Sequence, residues 1–284
     1  MAIRLRFTTQ CVVLRKQMAH SLMTYNYIDD YLRTLQSKGR YSVTLGELRN
    51  KFETSEKAIL QNIYRLKTKN QIAQVRKEFY VIVAPQYSHR GMVPPTLFIN
   101  DMMEFLNREY YICLLSAAAL HGAGHQQPME FQVMSTKPPL RHIKNQRLNI
   151  RFFTKDKWNA DQITEMKTDT GYINVSTPEL TAFDLVFHSK TIGGLNRIIP
   201  ILEELTESMT VSQITKASAS QMTSTRQRLG FLLDKMGNET LANSLQKTIN
   251  NIRTKEIRLS LAHKARTGKV DKKWNVIINT ELDF

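Results

Sequence analysis

The sequence predicts a two-domain α+β protein. Its 284 residues exceed the usual size of one domain and suffice for two, each able to bury its own core. Helix-like and strand-like segments follow one another without the regular alternation of a doubly wound sheet, which favours α+β. The formal charge of +15 is uneven, because ten of the fifteen excess positive charges lie within the first 90 residues. We therefore expect a basic N-terminal domain, suited to a polyanion, before a larger mixed domain.

The composition is that of an ordinary globular protein, with 42% hydrophobic and 23% charged residues and no biased tract. No apolar run approaches the roughly 20 residues that span a bilayer. The N-terminal segment has basic residues on both sides of a short apolar core and makes a poor secretory signal. Cys11 and Cys113 are the two cysteines, which excludes a disulfide framework or a cysteine metal cluster. We expect a cytoplasmic protein without a membrane segment.

The first 22 residues show no clean periodicity and are interpreted as a flexible extension. Regular sequence begins at Met23, which leaves Met1, Met18 and Met23 as candidate starts. Apolar residues then recur at helical spacing from Tyr25 to Gln36, which predicts the first helix.

Two short helices joined by a tight turn are predicted in YSVTLGELRNKF and TSEKAILQNIYRLKTKN. Thr44 is placed to cap the first helix, and Glu47 stands three residues later, as in a capping box. Thr54 and Ser55 are cap candidates for the second helix, which has one apolar stripe that ends at Leu66. Two helices with such a turn are typical of a helix-turn-helix.

The following stretch, QIAQVRKEFYVIVAP, alternates around a charged turn and predicts a two-stranded ribbon. Three helices plus this ribbon predict a winged helix-turn-helix. A glycine and a proline pair in HRGMVPPT then indicate a domain boundary. The predicted domains are an extension at 1–22, a winged helix-turn-helix at 23–90 and a larger mixed domain at 91–284.

The second helix of this motif carries a polar face suited to a DNA groove. With its apolar stripe toward the core, a rotation of 100° per residue places Lys57, Gln61 and Tyr64 opposite, with Arg65 at the edge. Such side chains can neutralise phosphates or pair with guanine and adenine. The candidate DNA-binding residues, with those of the preceding helix, the cap and the wing, are Arg49, Lys51, Ser55, Lys57, Gln61, Tyr64, Arg65, Arg76 and Lys77. The alternative is a solvated polar face used for protein contacts.

The second domain mixes helical and strand patterns. Helices are predicted in LFINDMMEFLNR, YYICLLSAAALHG, STPELTAFDLVFH, GGLNRIIPILEELTE, TRQRLGFLLDKMG and ETLANSLQKTINNI, and strands in EFQVMS, RLNIRFF, YINVS and WNVIINTEL. His121 and His125 are four residues apart, but glycines interrupt them and no third ligand is near, so no metal site is predicted. There is no G-x-S-x-G motif, P-loop or dinucleotide fingerprint, and we expect no cofactor and no catalytic residue.

The stretch VSTPELTAFDLVFH concentrates polar residues that could suggest chemistry. Thr177, followed by proline, matches a helix N-cap, and Ser176 with Glu179 matches capping-box spacing. Asp184 and His188 stand at i and i+4, where a carboxylate can bind an imidazole. An acid/base pair is one interpretation. A buried polar contact that positions the helix is favoured, because no nucleophile or oxyanion-binding feature accompanies the pair.

Several runs of the second domain resemble the AbiEi family of antitoxins from type IV toxin/antitoxin systems: YYICLLSAAALHGAGHQQPMEFQVMSTKPPLRHI, RLNIRFF, TGYINVSTPELTAFDLVFH with GGL, QRLGFLLDKMG and WNVIINTELDF. The resemblance covers about residues 25–284. It implies a bacterial, non-enzymatic protein that represses its own operon at promoter inverted repeats through the winged helix-turn-helix. It also implies a C-terminal antitoxin domain that counteracts a nucleotidyltransferase-like toxin, with no need for a stable complex, in abortive phage defence or in the stabilisation of mobile elements.

We therefore expect a repressor and antitoxin. Basic positions of the second domain could reach DNA or bind an acidic toxin surface, or could only add solubilising charge. They are Arg141, Arg147, Arg151, Arg226 and Arg228. One alternative function is a winged-helix transcriptional regulator with a ligand-sensing C-terminal domain. Another is an enzyme fused to a DNA-binding module, which the lack of a convergent nucleophile, base and metal set disfavours.

Overall fold

The computed structural model describes residues 28–124, 128–263 and 267–284. The predicted extension at 1–22, with its candidate starts, and His125 lie outside these ranges. The chain forms two compact units. The first contains the described residues up to Arg108 together with Ile143–Leu148 and Lys167–Tyr172, and the second contains the rest.

The division between the units falls at Arg108 rather than near residue 90. The reason is that residues beyond 90 pack with the first unit. The Phe105 ring centroid lies 5.5 Å from that of Phe79, and the Ser42 hydroxyl donates to the Asp101 carboxylate.

The first unit combines three helices with a three-stranded antiparallel sheet, followed by a further helix. In chain order they are α1 (28–37), β1 (Ser42–Thr44), α2 (Leu45–Lys51), α3 (Glu56–Thr68), β2 (Ile72–Arg76), β3 (Phe79–Ile82) and α4 (Ile99–Phe105). The sheet order is β1-β3-β2. The predicted ribbon is thus present, and β1 extends it because the short segment before α2 pairs with β3.

Local sequence explains where α2 and α3 begin. The Thr44 hydroxyl accepts the Glu47 N–H at 3.1 Å, and the Ser55 hydroxyl accepts the Ala58 N–H at 3.3 Å. The predicted N-caps Thr44 and Ser55 are confirmed, but the predicted capping box of α2 is wrong, because the Glu47 carboxylate binds Tyr31 and Arg40 instead. The Glu47 carboxylate binds the Arg40 guanidinium at 2.7 and 2.8 Å, and this ion pair holds α2 against the preceding turn.

Most of a six-stranded mixed sheet of order β6-β7-β5-β4-β9-β8 belongs to the second unit, while β6 and the adjoining ends of β8 and β9 fall in the segments assigned to the first unit. Its strands are β4 (Tyr110–Ile112), β5 (Phe131–Ser135), β6 (Ile143–Lys144), β7 (Asn149–Thr154), β8 (Ile163–Thr168) and β9 (Gly171–Ser176). Tyr110–Ile112 was predicted as helix. It is a strand because it pairs with β5 on one side and β9 on the other, and the helix α5 (Leu114–Leu120) starts only after it.

A helical layer and a small second sheet complete this unit. The helices are α6 (Pro178–Phe187), α7 (Leu195–Thr206), α8 (Val211–Ser218), α9 (Thr223–Lys235) and α10 (Glu239–Ile249). The second sheet has the order β10-β12-β11, with β10 (Ile257–Arg258), β11 (Lys269–Asp271) and β12 (Val276–Ile278). The predicted α+β class is confirmed. None of the described helices has the length and apolar character needed to cross a membrane.

Helix α9 anchors the C-terminal sheet through residues of the QRLG run. The Gln227 amide donates to the carbonyl of Trp274 at 2.8 Å, and Arg228 Nε donates to the carbonyl of Arg258 at 2.9 Å. The fully buried Trp274 indole lies directly on Gly230. Three contacts within about one turn of α9 thus join two stretches that are far apart in the sequence.

Candidate functional site

The outer face of α3 is the candidate DNA-binding surface. Lys57, Gln61 and Arg65 are exposed, and Tyr64 is 71% exposed. On the opposite side Ile59, Ile63 and Leu66 are buried in the first unit's core. The predicted orientation of this helix is confirmed, and its role in DNA binding stays a prediction.

Three other candidates from the sequence have structural contacts inside the first unit. Arg49 forms an ion pair with Glu56 and lies 4.0 Å from Glu78. The Lys51 ammonium lies 5.9 Å from the centroid of the Tyr31 ring, and Ser55 caps α3. Their side chains therefore have to leave or share these contacts in order to bind a phosphate.

The wing is a tight hairpin. Lys77 and Glu78 form the turn between β2 and β3, with Glu78 in the left-handed region at φ 63°. Lys77 is exposed at the tip. Arg76 is half-buried at the end of β2, and burial lowers the pKa of its guanidinium. The Lys67 ammonium donates to the Gln74 amide oxygen at 3.0 Å, which ties the wing to α3.

The charge on α3 is strongly one-sided. Its acidic residue is Glu56, which the Arg49 guanidinium holds in an ion pair. Its basic residues are Lys57, Arg65 and Lys67. Because the acid is already neutralised, the exposed face presents an excess of positive charge, as a groove-binding helix requires.

Two of the five basic positions predicted for the second domain point inward. Arg228 is 7% exposed, so the prediction that it belongs to a basic surface is wrong. Burial lowers the pKa of its guanidinium. Arg226 is half-buried and donates to the carbonyl of Gln221 at 2.9 and 3.1 Å and to that of Thr248 at 3.3 Å. Both arginines face neighbouring backbone because α9 is covered by the C-terminal segment and α10.

The other three basic positions lie nearer the surface. Arg141 and Arg147 are exposed. Arg147 belongs to a segment of the first unit and donates to the Asn70 side chain at 2.9 Å. Arg151 is half-buried and forms an ion pair with Glu130 at 3.2 Å.

The predicted pairing of the Asp184 and His188 side chains is wrong. The buried Asp184 carboxylate accepts from the Tyr111 hydroxyl at 2.9 Å and from the Lys155 ammonium at 3.2 Å. The His188 ring instead packs edge-on against Phe153, with centroids 4.9 Å apart. Tyr111 and Lys155 come from β4 and the end of β7, so no short sequence pattern could have indicated them.

Burial is the largest influence on the pKa values of Tyr111, Cys113 and His188, the titratable groups around Asp184. It raises the pKa of the Tyr111 hydroxyl well above its usual value, and the Asp184 charge acts in the same direction. Burial also raises the pKa of the Cys113 thiol, and it lowers the pKa of the His188 imidazole. A protonated phenol and a neutral imidazole next to a paired carboxylate suit a structural network better than an acid/base pair.

The start of α6 has the predicted N-cap, but Glu179 binds a residue outside this helix. The Thr177 hydroxyl accepts the Leu180 N–H at 3.4 Å. The Glu179 carboxylate reaches α8 and accepts the Thr210 N–H at 3.0 Å. The expected capping box is therefore wrong, since tertiary packing gives Glu179 a distant partner.

His121 is one of the two histidines that stand four residues apart, and its side chain also has a structural contact. Its Nε2 lies 2.6 Å from the carbonyl oxygen of Ser176. His125 lies outside the described residues. Across 28–124, 128–263 and 267–284, no three His, Cys, Asp or Glu side chains are grouped as metal ligands.

Comparison with known families gives a match to residues 110–235. The matching family model is described as the AbiEi antitoxin C-terminal domain. This chain carries an AbiEi antitoxin domain. The domain runs from β4 to the end of α9, so it includes the central sheet and the Asp184 network.

Most of the chain has a fold similar to that of a solved structure. The crystal structure of the RV2827C protein from Mycobacterium tuberculosis aligns with a TM-score of 0.63 and 14% sequence identity, over 89% of this chain and 91% of that one. At this identity the likeness concerns the fold alone. No curated protein matches the sequence significantly.

Proposed function

We propose that this protein is the antitoxin and autorepressor of a bacterial type IV toxin/antitoxin operon. The first unit acts as a winged helix-turn-helix that binds inverted repeats in the operon's own promoter. The AbiEi domain counteracts a nucleotidyltransferase-like toxin, with no need for a stable complex. The protein acts in the cytoplasm by binding rather than by catalysis, in abortive phage defence.

The DNA-binding part of the proposal is supported by the order of the helices and strands around α3. The element order α1-β1-α2-α3-β2-β3, with the sheet order β1-β3-β2, supports a winged helix-turn-helix. In such a domain the second helix of the motif enters the major groove. Here that helix is α3, with Lys57, Gln61 and Tyr64 outward and the Lys77 turn beside it.

Replacing Gln61 and Arg65 together by alanine is expected to relax sequence preference. Each side chain can pair bidentately with a base, and losing one such pair costs about 1–3 kcal/mol of discrimination, or about 5- to 150-fold. Fluorescence anisotropy with the promoter duplex and a scrambled duplex of equal length measures this ratio.

Lys77→Ala is the matched change on the wing. It is expected to weaken binding to both duplexes alike and to reduce the salt slope by about one, as for the loss of one phosphate contact. Equal affinities of wild type and both variants for both duplexes would remove α3 and the wing from the interface.

The antitoxin half is tested in cells that express the neighbouring gene of the operon. Full-length protein is expected to restore growth, and so is the Gln61→Ala, Arg65→Ala variant, because the AbiEi domain is unchanged. Promoter repression by the same variant, measured with a reporter, is expected to be lost. A toxic neighbouring gene that full-length protein fails to counteract would contradict the antitoxin assignment.

A further inference from the structure

The positive charge of residues 91–284 is concentrated in one stretch near the C-terminus. Residues 91–284 hold 24 basic and 19 acidic residues, an excess of five. The stretch from Arg253 to Lys273 alone holds eight basic and two acidic residues, an excess of six. It follows the end of the matched family model at residue 235 and contains none of the five basic positions predicted from the sequence. Neither the family match nor that predicted surface therefore accounts for this charge.

The C-terminal sheet brings the two ends of this stretch together. Strand β10 runs parallel to β12, and the Ile257 N–H donates to the carbonyl of Asn275 at 3.0 Å. The Asn275 side chain also donates to the Thr254 hydroxyl. The residues before β10 therefore lie beside the turn between β11 and β12, which contains Lys272 and Lys273.

Helix α10 borders the same turn. The Lys273 ammonium binds the Asp234 carboxylate at 2.6 Å and lies 3.5 Å from the amide oxygen of Asn243 on α10. One helical turn further along α10, Lys247 is exposed. The turn, the residues before β10 and α10 thus form one surface, which we call the C-terminal basic face. Its exposed cations are Lys247, Arg253, Lys255 and Lys272.

These four cations are available to a ligand. None of them forms an ion pair with another residue that the structure describes. Asp234 is already neutralised by Lys273. Glu239 at the start of α10 and Glu256 before β10 are exposed, so four cations stand against two carboxylates. A local excess of this kind attracts a polyanion.

The neutral side chains of this face favour RNA as the polyanion. Asn250 and Asn251 are exposed between Lys247 and Arg253. An amide both donates and accepts hydrogen bonds, so it can bind a 2′-hydroxyl while the neighbouring cations pair with phosphates. DNA lacks the 2′-hydroxyl and leaves these amides without that partner.

The aromatic content of the face favours a double-stranded region over a single strand. Trp274 is the one Phe, Tyr or Trp in the sequence from 236 to 278, and it is fully buried. Binding of single-stranded RNA relies on exposed rings on which bases stack. A double-stranded region keeps its bases stacked on one another and presents phosphates and 2′-hydroxyls instead.

We propose that the C-terminal basic face binds double-stranded RNA through its sugar-phosphate backbone, independently of base sequence. Cations on a helix and on a hairpin turn contact the phosphates, and the amides of α10 and the following residue contact 2′-hydroxyls in the wide minor groove. This activity goes beyond the proposed operator binding, which α3 and the wing carry.

The test uses full-length protein, a labelled RNA hairpin with a stem of about 16 base pairs and a DNA hairpin of the same sequence. Fluorescence anisotropy at several salt concentrations gives the affinity and the salt slope. The triple variant Lys247→Gln, Lys255→Gln, Lys272→Gln is expected to lose about 100-fold in RNA affinity at about 0.15 M salt. Its salt slope is expected to fall by about 3, since each lost phosphate contact contributes about 0.9. We expect a smaller loss of affinity for the DNA hairpin.

A second triple variant is the matched control. Lys157→Gln, Lys190→Gln and Lys216→Gln remove three other exposed lysines of the second unit. Both triple variants have the same net charge, so a difference between them reflects where the charge lies. The control is expected to keep the RNA affinity and salt slope of wild type. Because all six lysines are exposed, both variants are expected to melt at the temperature of wild type.

Equal RNA affinities of the two triple variants would overturn the inference. An equal loss for the RNA and DNA hairpins would also overturn it, because the face would then recognise phosphates without regard to the sugar. Operator recognition is measured separately, by the ratio of affinities for the promoter and scrambled duplexes. Wild type that binds the RNA hairpin but does not prefer the promoter duplex would contradict the proposed DNA-binding function and leave this inference intact.

Discussion

Asp184→Ala is expected to lower the free energy of unfolding by about 3 kcal/mol, near the lower end of the range for breaking a buried ion pair. The change leaves the buried Tyr111 hydroxyl and the Lys155 ammonium without their acceptor. The Lys155 side chain is 24% exposed and can partly reach water, so we expect the smaller value. Urea denaturation, followed by circular dichroism, measures the loss.

The Lys137–Asp156 pair provides the control. Its N–O distance is 2.8 Å, shorter than that of Lys155 and Asp184, but both side chains are 67% exposed. Asp156→Ala is therefore expected to cost less than about 1 kcal/mol. If the two alanine variants were equally stable, the Asp184 network would not be what holds α6 to the sheet.

Gly230→Ala is expected to destabilise the AbiEi domain by about 2 kcal/mol or more, the cost of overpacking a core. A Cβ at this position would lie closer than 3.0 Å to three atoms of the buried Trp274 ring. Helix propensity alone would favour alanine by about 1 kcal/mol, so the steric effect has to exceed this gain. Thermal and urea denaturation measure the net effect.

Two companion variants separate packing from backbone effects. Gly46→Ala on α2 meets nothing nearer than 3.9 Å and is expected to stabilise its helix slightly. Trp274→Phe removes the ring atoms that the new methyl would strike. The double variant with Gly230→Ala is therefore expected to be more stable than the sum of the single changes. Strict additivity would show that the indole does not cause the loss.

Much of the first unit could be predicted because its signals are local. The apolar stripe of α3 repeats within one helix, and the caps at Thr44 and Ser55 act on N–H groups three residues away. Interactions of this range depend on residues that are close together in the sequence, so a short stretch is enough to predict them.

The AbiEi domain was less predictable, since residues far apart in sequence decide its polar contacts. The i,i+4 spacing favoured His188 as the partner of Asp184, yet Tyr111 of β4 and Lys155 next to the end of β7 bind that carboxylate. A buried charge takes the donors that its surroundings supply, whichever residue is near in sequence. In the same way, the charge of Arg228 predicted an exposed side chain. Its guanidinium is buried instead, because it donates a hydrogen bond to the backbone carbonyl of Arg258.

By itself, the sequence determined the α+β class, the three-helix and hairpin order of the first unit, the outward face of α3 and the resemblance to AbiEi antitoxins. The tertiary structure alone decided that Tyr110–Ile112 is a strand, that Asp184 serves a buried network and that Gly230 makes room for Trp274. The physical reason is the range of the interactions. Helix periodicity and capping act within a few residues, whereas sheet pairing, buried charge and close packing depend on which distant segments the fold brings together.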